Sequence, residues 1–75
     1  MKLDRLLYEV ALDRSVSVDE MKSATRFKEV VAARHEFFYR ARTETAYSSP
    51  AIGRVCNKDH SSVLRGSAAF RDRGR

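Results

Sequence analysis

Residues 56 to 66 read CNKDHSSVLRG and gather side chains from which reactive sites are made: the only cysteine, one of two histidines, an aspartate and two adjacent serines, between Lys58 and Arg65. Asp59, His60 and Ser61 are the residue types of a nucleophilic triad. Consecutive helical residues point about 100° apart, however, so the three cannot line up as orienter, base and nucleophile. A zinc site needs about four ligands at metal spacing, whereas Cys56 and His60 have only the distant His35 to join them. The chain holds no glycine-rich phosphate loop with its lysine, so nucleotide hydrolysis is not supported. The chain reads as a non-enzyme that calls for no metal, cofactor or nucleotide. What remains at 58–65 is a row of hydrogen-bonding groups bracketed by cations, the chemistry of a surface that reads another molecule.

The charge distribution points the same way. Residues 1–21 carry three basic side chains against five acidic ones, a net of −2, and residues 22–75 carry twelve against five, a net of +7. Such an asymmetry suits a polyanion, because neutralising phosphates supplies affinity independent of sequence. A basic surface kept for solubility is the alternative. Seventy-five residues allow one small domain. A single cysteine excludes an internal disulfide and suggests a reducing compartment. No signal peptide is evident, because Lys2, Asp4, Arg5 and Glu9 interrupt the first twelve residues, and no apolar run reaches membrane-spanning length. The expectation is a cytoplasmic protein.

The elements that must position the row are helical. Leu3, Leu6, Leu7, Val10 and Ala11 fall on one face of a helix over about 2–13. Ser17 and Glu20 form a capping box, with Val16 and Met21 at the staple positions, and start a short helix ending near Lys22 or Ser23. A basic loop with Lys22, Arg26 and Lys28 precedes a long helix over about 27–45, whose apolar residues are Phe27, Val30, Val31, Phe37, Phe38 and Ala41 and from which Arg34, Arg40 and Arg42 project. The phenylalanines Phe27, Phe37 and Phe38 are expected in the core, not as a base-stacking platform. Ser49 as N-cap and Pro50 at the first position open a fourth helix with Ile52, Val55 and Cys56 inward. Asn57 and Lys58 turn the chain through a left-handed conformation. Asp59 caps a fifth helix whose inner face is Val63, Leu64, Ser67 and Phe70; Gly66 within it implies close approach of another helix. The tail RDRGR is expected to fray.

A short helix, a tight turn and a second helix with a polar start form the layout of a helix-turn-helix, at about 49–71, whose second helix enters the major groove of DNA. In that setting Asp59 can accept from a cytosine amino group, His60 can bond to guanine or thymine acceptors, and Ser61 and Ser62 can bond to base edges or phosphates. Lys58 and Arg65 flank them as phosphate clamps. Arg26 suits a narrow A/T-rich minor groove.

The segment PAIGRVCNKDHSSVL resembles the signature of the C-terminal DNA-binding domain of the bacterial replication initiator DnaA, roughly P-x-I-G-x-x-(hydrophobic)-G-(R/K)-D-H-(T/S)-T-V. RFKEVVAARHEFFYRAR is similar to that family's basic loop and long helix, and LLYEVALDRSVSVDEMKS to its first two helices. The resemblance implies an all-α, Trp-repressor-like fold of about five helices, one domain over 1–71 with a basic tail at 72–75. It further implies recognition of a short A/T-rich box in double-stranded DNA by a monomer. Arg26 then takes the minor-groove position; Pro50, Asp59, His60 and Ser61 the major-groove base contacts; and Arg34, Arg42, Lys58 and Ser62, with Lys22, Lys28 and Arg65, the DNA backbone.

The chain departs from the pattern at Ser61 and Ser62, where threonines are common, at Arg65 for a histidine, at Asn57 for the turn glycine and at Gly66 for an alanine. Loss of the threonine methyls removes a contact to thymine methyls. Three uses follow from the resemblance: a small regulator of transcription, a competitor for initiator boxes, or a piece of a larger initiator. Met1 heading the first helix favours a free-standing protein, of a kind found in phages or mobile elements. The rival from another class is a protein-interaction module that binds an acidic partner of the replication or transcription machinery.

Overall fold

In the computed structural model, which describes residues 2–73, the apolar stripe of the first segment becomes α1 (Lys2–Arg14), with Leu3, Leu6, Leu7, Val10 and Ala11 buried. The helix stops at Ser15, in the left-handed region at φ 58°, where the amides of Ser15 and Val16 donate back to the carbonyls of Leu12 and Ala11. This pair of bonds is the Schellman closure, here built without glycine. The expected capping box forms: the Glu20 amide donates to Ser17 Oγ at 3.0 Å, and the Ser17 amide to Glu20 Oε1 at 2.9 Å. It starts α2 (Val18–Lys22), which places Met21 fully inside.

The long helix α3 (Lys28–Glu44) is the central element, in contact with all four others. Its buried face is Val30, Ala33, Arg34, Phe37, Phe38 and Ala41, a helical stripe with an arginine in it. Phe27 is not part of that face. It precedes the helix as N-cap and is 69% exposed, which corrects its expected place in the core. Phe37 and Phe38 are buried and tilted against each other, with centroids 5.9 Å apart.

α4 (Ser49–Val55) starts one residue earlier than expected: the Ser48 hydroxyl, not that of Ser49, accepts the Ala51 amide. Pro50 thus stands at the second position, whose amide is also unpaired in a helix, so the ring costs nothing there. Asn57, at φ 59°, closes the helix: its amide donates to Arg54 and that of Lys58 to Gly53. Asp59 then caps α5 (His60–Arg73), its Oδ1 accepting the Ser62 amide at 2.9 Å. α4 and α5 make the helix-turn-helix. α5 turns Val63, Gly66 and Ser67 inward and Phe70 onto Tyr39, leaving Leu64 42% exposed, so the expectation for Leu64 is corrected. Residues 71–73 continue α5, while Met1, Gly74 and Arg75 lie outside the described residues. Among the described residues the fold is all-α with five helices.

Two glycines set the helix separations. A Cβ on Gly66 would meet Phe38 Cδ2 at 2.7 Å and His35 Cδ2 at 2.8 Å, both ring atoms of side chains. A Cβ on Gly53 would lie 2.5 Å from the Lys58 carbonyl oxygen and 3.0 Å from that of Asp59, atoms of the turn itself. Gly53→Ala is therefore expected to cost about 2–3 kcal/mol by overpacking and to cost more than Gly66→Ala in urea denaturation; equal losses would contradict the assignment of Gly53 as the closer constraint.

Candidate nucleic-acid interface

The leading turn of α5 carries the residues expected to contact bases. Asp59 and His60 are exposed, Ser61 and Ser62 half-buried, and Arg65 exposed one turn further on. Hydrogen bonds from Ser62 hold the Asp59 carboxyl below its usual range, so it stays an ionised acceptor while capping the helix. Cys56 belongs to a different environment. It is fully buried, burial pushes its thiol up to about 11, and it packs in the core with Ile52 and Val63. Among the described residues no group of three or more His, Cys, Asp or Glu side chains is placed to hold a metal ion.

The basic loop between α2 and α3 is tied to this edge by long-range bonds. Lys58 Nζ donates to the Ser23 carbonyl at 2.9 Å, and Asn57 Nδ2 to the Lys22 carbonyl at 3.2 Å. From below, Arg34 holds the same loop: Nε donates to Met21 O at 2.8 Å, and Nη2 to the carbonyls of Glu20, Ser23 and Thr25 at 3.2, 2.8 and 2.9 Å. Burial lowers the Arg34 pKa, yet a guanidinium stays charged in proteins, and a charged donor among four carbonyls is well satisfied. Arg34, only 7% exposed, is thus a loop clamp, where the resemblance implied a phosphate contact. The signal was in the sequence: Arg34 falls on the apolar stripe of α3.

Loop and helix enclose an open cleft lined by Arg26, Lys58, Ser62 and Arg65 together with Val31, His35, Phe38 and Gly66. Lys22 and Lys28 are exposed at the two ends of the loop. Pro50 is exposed at the start of α4, and Arg42, also exposed, donates to Ser67 Oγ at 3.3 Å, so neither lies in the cleft. His35 was not expected here. Its Nδ1 is buried and unpaired, and its pKa is lowered by burial first and by Arg73 and Arg34 second.

A family model described as the bacterial dnaA protein helix-turn-helix matches residues 3–68. The chain belongs to this family. A chromosomal replication initiator protein DnaA of Oleidesulfovibrio alaskensis is 31% identical over 68 residues, 91% of the chain and 15% of that relative. No solved structure matches. The chain is accordingly a DNA-binding domain that engages double-stranded DNA, with α4 and α5 as its helix-turn-helix. Among the described residues no helix is long and apolar enough to cross a membrane.

Two outcomes follow from the clamp and its neighbour. Arg34→Met keeps the aliphatic length but removes the guanidinium from four carbonyls, of which Glu20 and Ser23 keep a second donor, and is expected to cost about 3 kcal/mol in urea denaturation; unchanged stability would mean that the loop holds without it. For His35 the folded state disfavours the proton relative to the ordinary value near 6.5. The unfolded chain therefore binds more protons below that value, and this histidine's contribution to stability is complete above it and is lost as pH falls. Melting temperatures measured from pH 7.5 to 5.5 should decline less steeply for His35→Gln than for the wild type.

Proposed function

We propose that this domain reads a short A/T-rich, DnaA-box-like site as a monomer and acts, without catalysis, as a small nucleoid regulator of transcription or replication. Asp59, His60, Ser61 and Pro50 make the major-groove base contacts; Arg26 enters the neighbouring minor groove. Lys22, Lys28, Arg42, Lys58, Ser62 and Arg65 hold phosphates, and Arg34 serves the contact through the loop it clamps. The observation that carries this reading is the pair of bonds from Asn57 and Lys58 to the basic loop. They join the reading helix and the loop of Arg26 into one rigid unit, as simultaneous occupation of two adjacent grooves requires. The departures at Ser61 and Ser62 relax the preference at the bases that a threonine methyl would touch.

The test is selection of bound duplexes from a random pool, followed by titration of variants on the enriched sequence. Arg26→Ala and His60→Ala should each weaken binding to the box by about 1–3 kcal/mol, while His60→Ala leaves binding to unrelated duplex nearly unchanged. Affinity should fall with salt at a slope of about −0.9 per phosphate neutralised. No enriched sequence, with binding to an acidic protein instead, would favour the interaction module.

A further inference from the structure

Phe27 is the most exposed of the large apolar side chains, and nothing in its local role explains it. It holds the N-cap position of α3, where serine, threonine, aspartate or asparagine would bond a free amide, and it makes no side-chain cap bond. Its neighbours Arg26 and Lys28 are both exposed. The loop that carries it is held by Arg34 from below and by Asn57 and Lys58 from the side, so the ring is presented at a set distance from α5.

Its backbone, at φ −56° and ψ 136°, is close to polyproline II, in which successive side chains turn by about 120°. In the chain the ring is flanked by the two exposed cations Arg26 and Lys28. A ring between two cations fits an apolar protein socket poorly, since closing the socket would strip water from both charges. It fits a nucleic-acid groove well: phosphates neutralise the cations, and sugars and base faces receive the ring.

We propose that Phe27 is a minor-groove wedge, entering beside Arg26 and partly unstacking one base step of the bound duplex. The inference rests on the DNA reading above. It adds a specificity element of another kind, because a wedge selects for steps that unstack easily, pyrimidine–purine steps such as TA foremost. Sequence preference at the loop end of the site then comes from deformability, without a hydrogen bond to any base.

The experiment uses the full chain on the enriched duplex, with 2-aminopurine replacing an adenine at the minor-groove end and a fluorophore pair on the duplex ends. Wild-type protein should raise the 2-aminopurine fluorescence and shorten the end-to-end distance. Phe27→Ala should lose about tenfold in affinity and both optical changes, while Phe27→Leu retains most of each. Its thermal melt should match the wild type, because the ring is outside the core. Unchanged affinity and fluorescence in Phe27→Ala would overturn the wedge and leave the box reading intact. A tenfold loss with no fluorescence change even for wild type would likewise overturn it, since the ring would then touch DNA without unstacking it. Failure of the wild type to bind duplex in a salt-dependent way would remove the box reading and the wedge together.

Discussion

A buried guanidinium under the α2–α3 loop is the constraint from which the interface follows. Taking a charge out of water is costly unless it is fully hydrogen-bonded. Arg34 meets this demand with the carbonyls of Glu20 and Met21 at the C-terminal end of α2 and those of Ser23 and Thr25 in the loop. The first two lie in the last turn of α2, where a cation is favoured by the helix dipole, and Glu20 O also accepts from the amide and hydroxyl of Ser23. One side chain therefore closes α2, shapes the loop and, through its place on α3, fixes both to the central helix. Without it the loop of Arg26 and Phe27 would have only its tethers to the turn of the helix-turn-helix.

That turn is set by backbone proximity more than by side chains. Gly53 lets the carbonyl of Lys58 pass within a distance that a Cβ does not permit, with that of Asp59 close beside it, and Asn57 supplies the left-handed residue that sends the chain back over α4. The same reversal aims the Asn57 amide and the Lys58 ammonium at the basic loop. Gly66 does the corresponding work on α5, where Phe38 and His35 occupy the space of a side chain. α5 is thus seated on α3 and turned against the loop at once, and its polar first turn is left outward.

Local signals were legible in the sequence wherever the deciding interaction is local. The α1 stripe, the Ser17–Glu20 box, the turn at Asn57 and the Asp59 cap each involve residues no more than eight positions apart, and each is found as expected. Between the adjacent Ser48 and Ser49 either hydroxyl can cap, and only the register of Ile52 against the core decides. The apolar spacing of α3 continues to Phe27, one residue beyond the helix start, so spacing alone does not show that the ring is outside. Leu64 is apolar yet outward, because α5 faces α3 through Gly66. Arg34 is the opposite case, a charge whose spacing on α3 puts it inward. The tie between the loop and the turn was not legible at all, since it joins residues 35 apart through side-chain bonds to backbone carbonyls.

The positive character of the interface depends on where the acids are, as well as on where the arginines are. On the α1–α3 side Arg14 pairs with Glu36 at 2.6 Å, and Arg40 reaches Glu44, Glu36 and Glu9 at 3.1, 3.7 and 3.8 Å. Exposed pairs of this kind add little to stability. Their effect is on the field: they neutralise the cations of one side and leave Arg26, Lys58 and Arg65 to dominate the other, where the walls of a cleft concentrate the potential. A net charge of +5 spread evenly would attract DNA to any face. Sorted in this way, it puts the first turn of α5 and the loop of Arg26 on one positive side of the domain, the side from which a polyanion is drawn in.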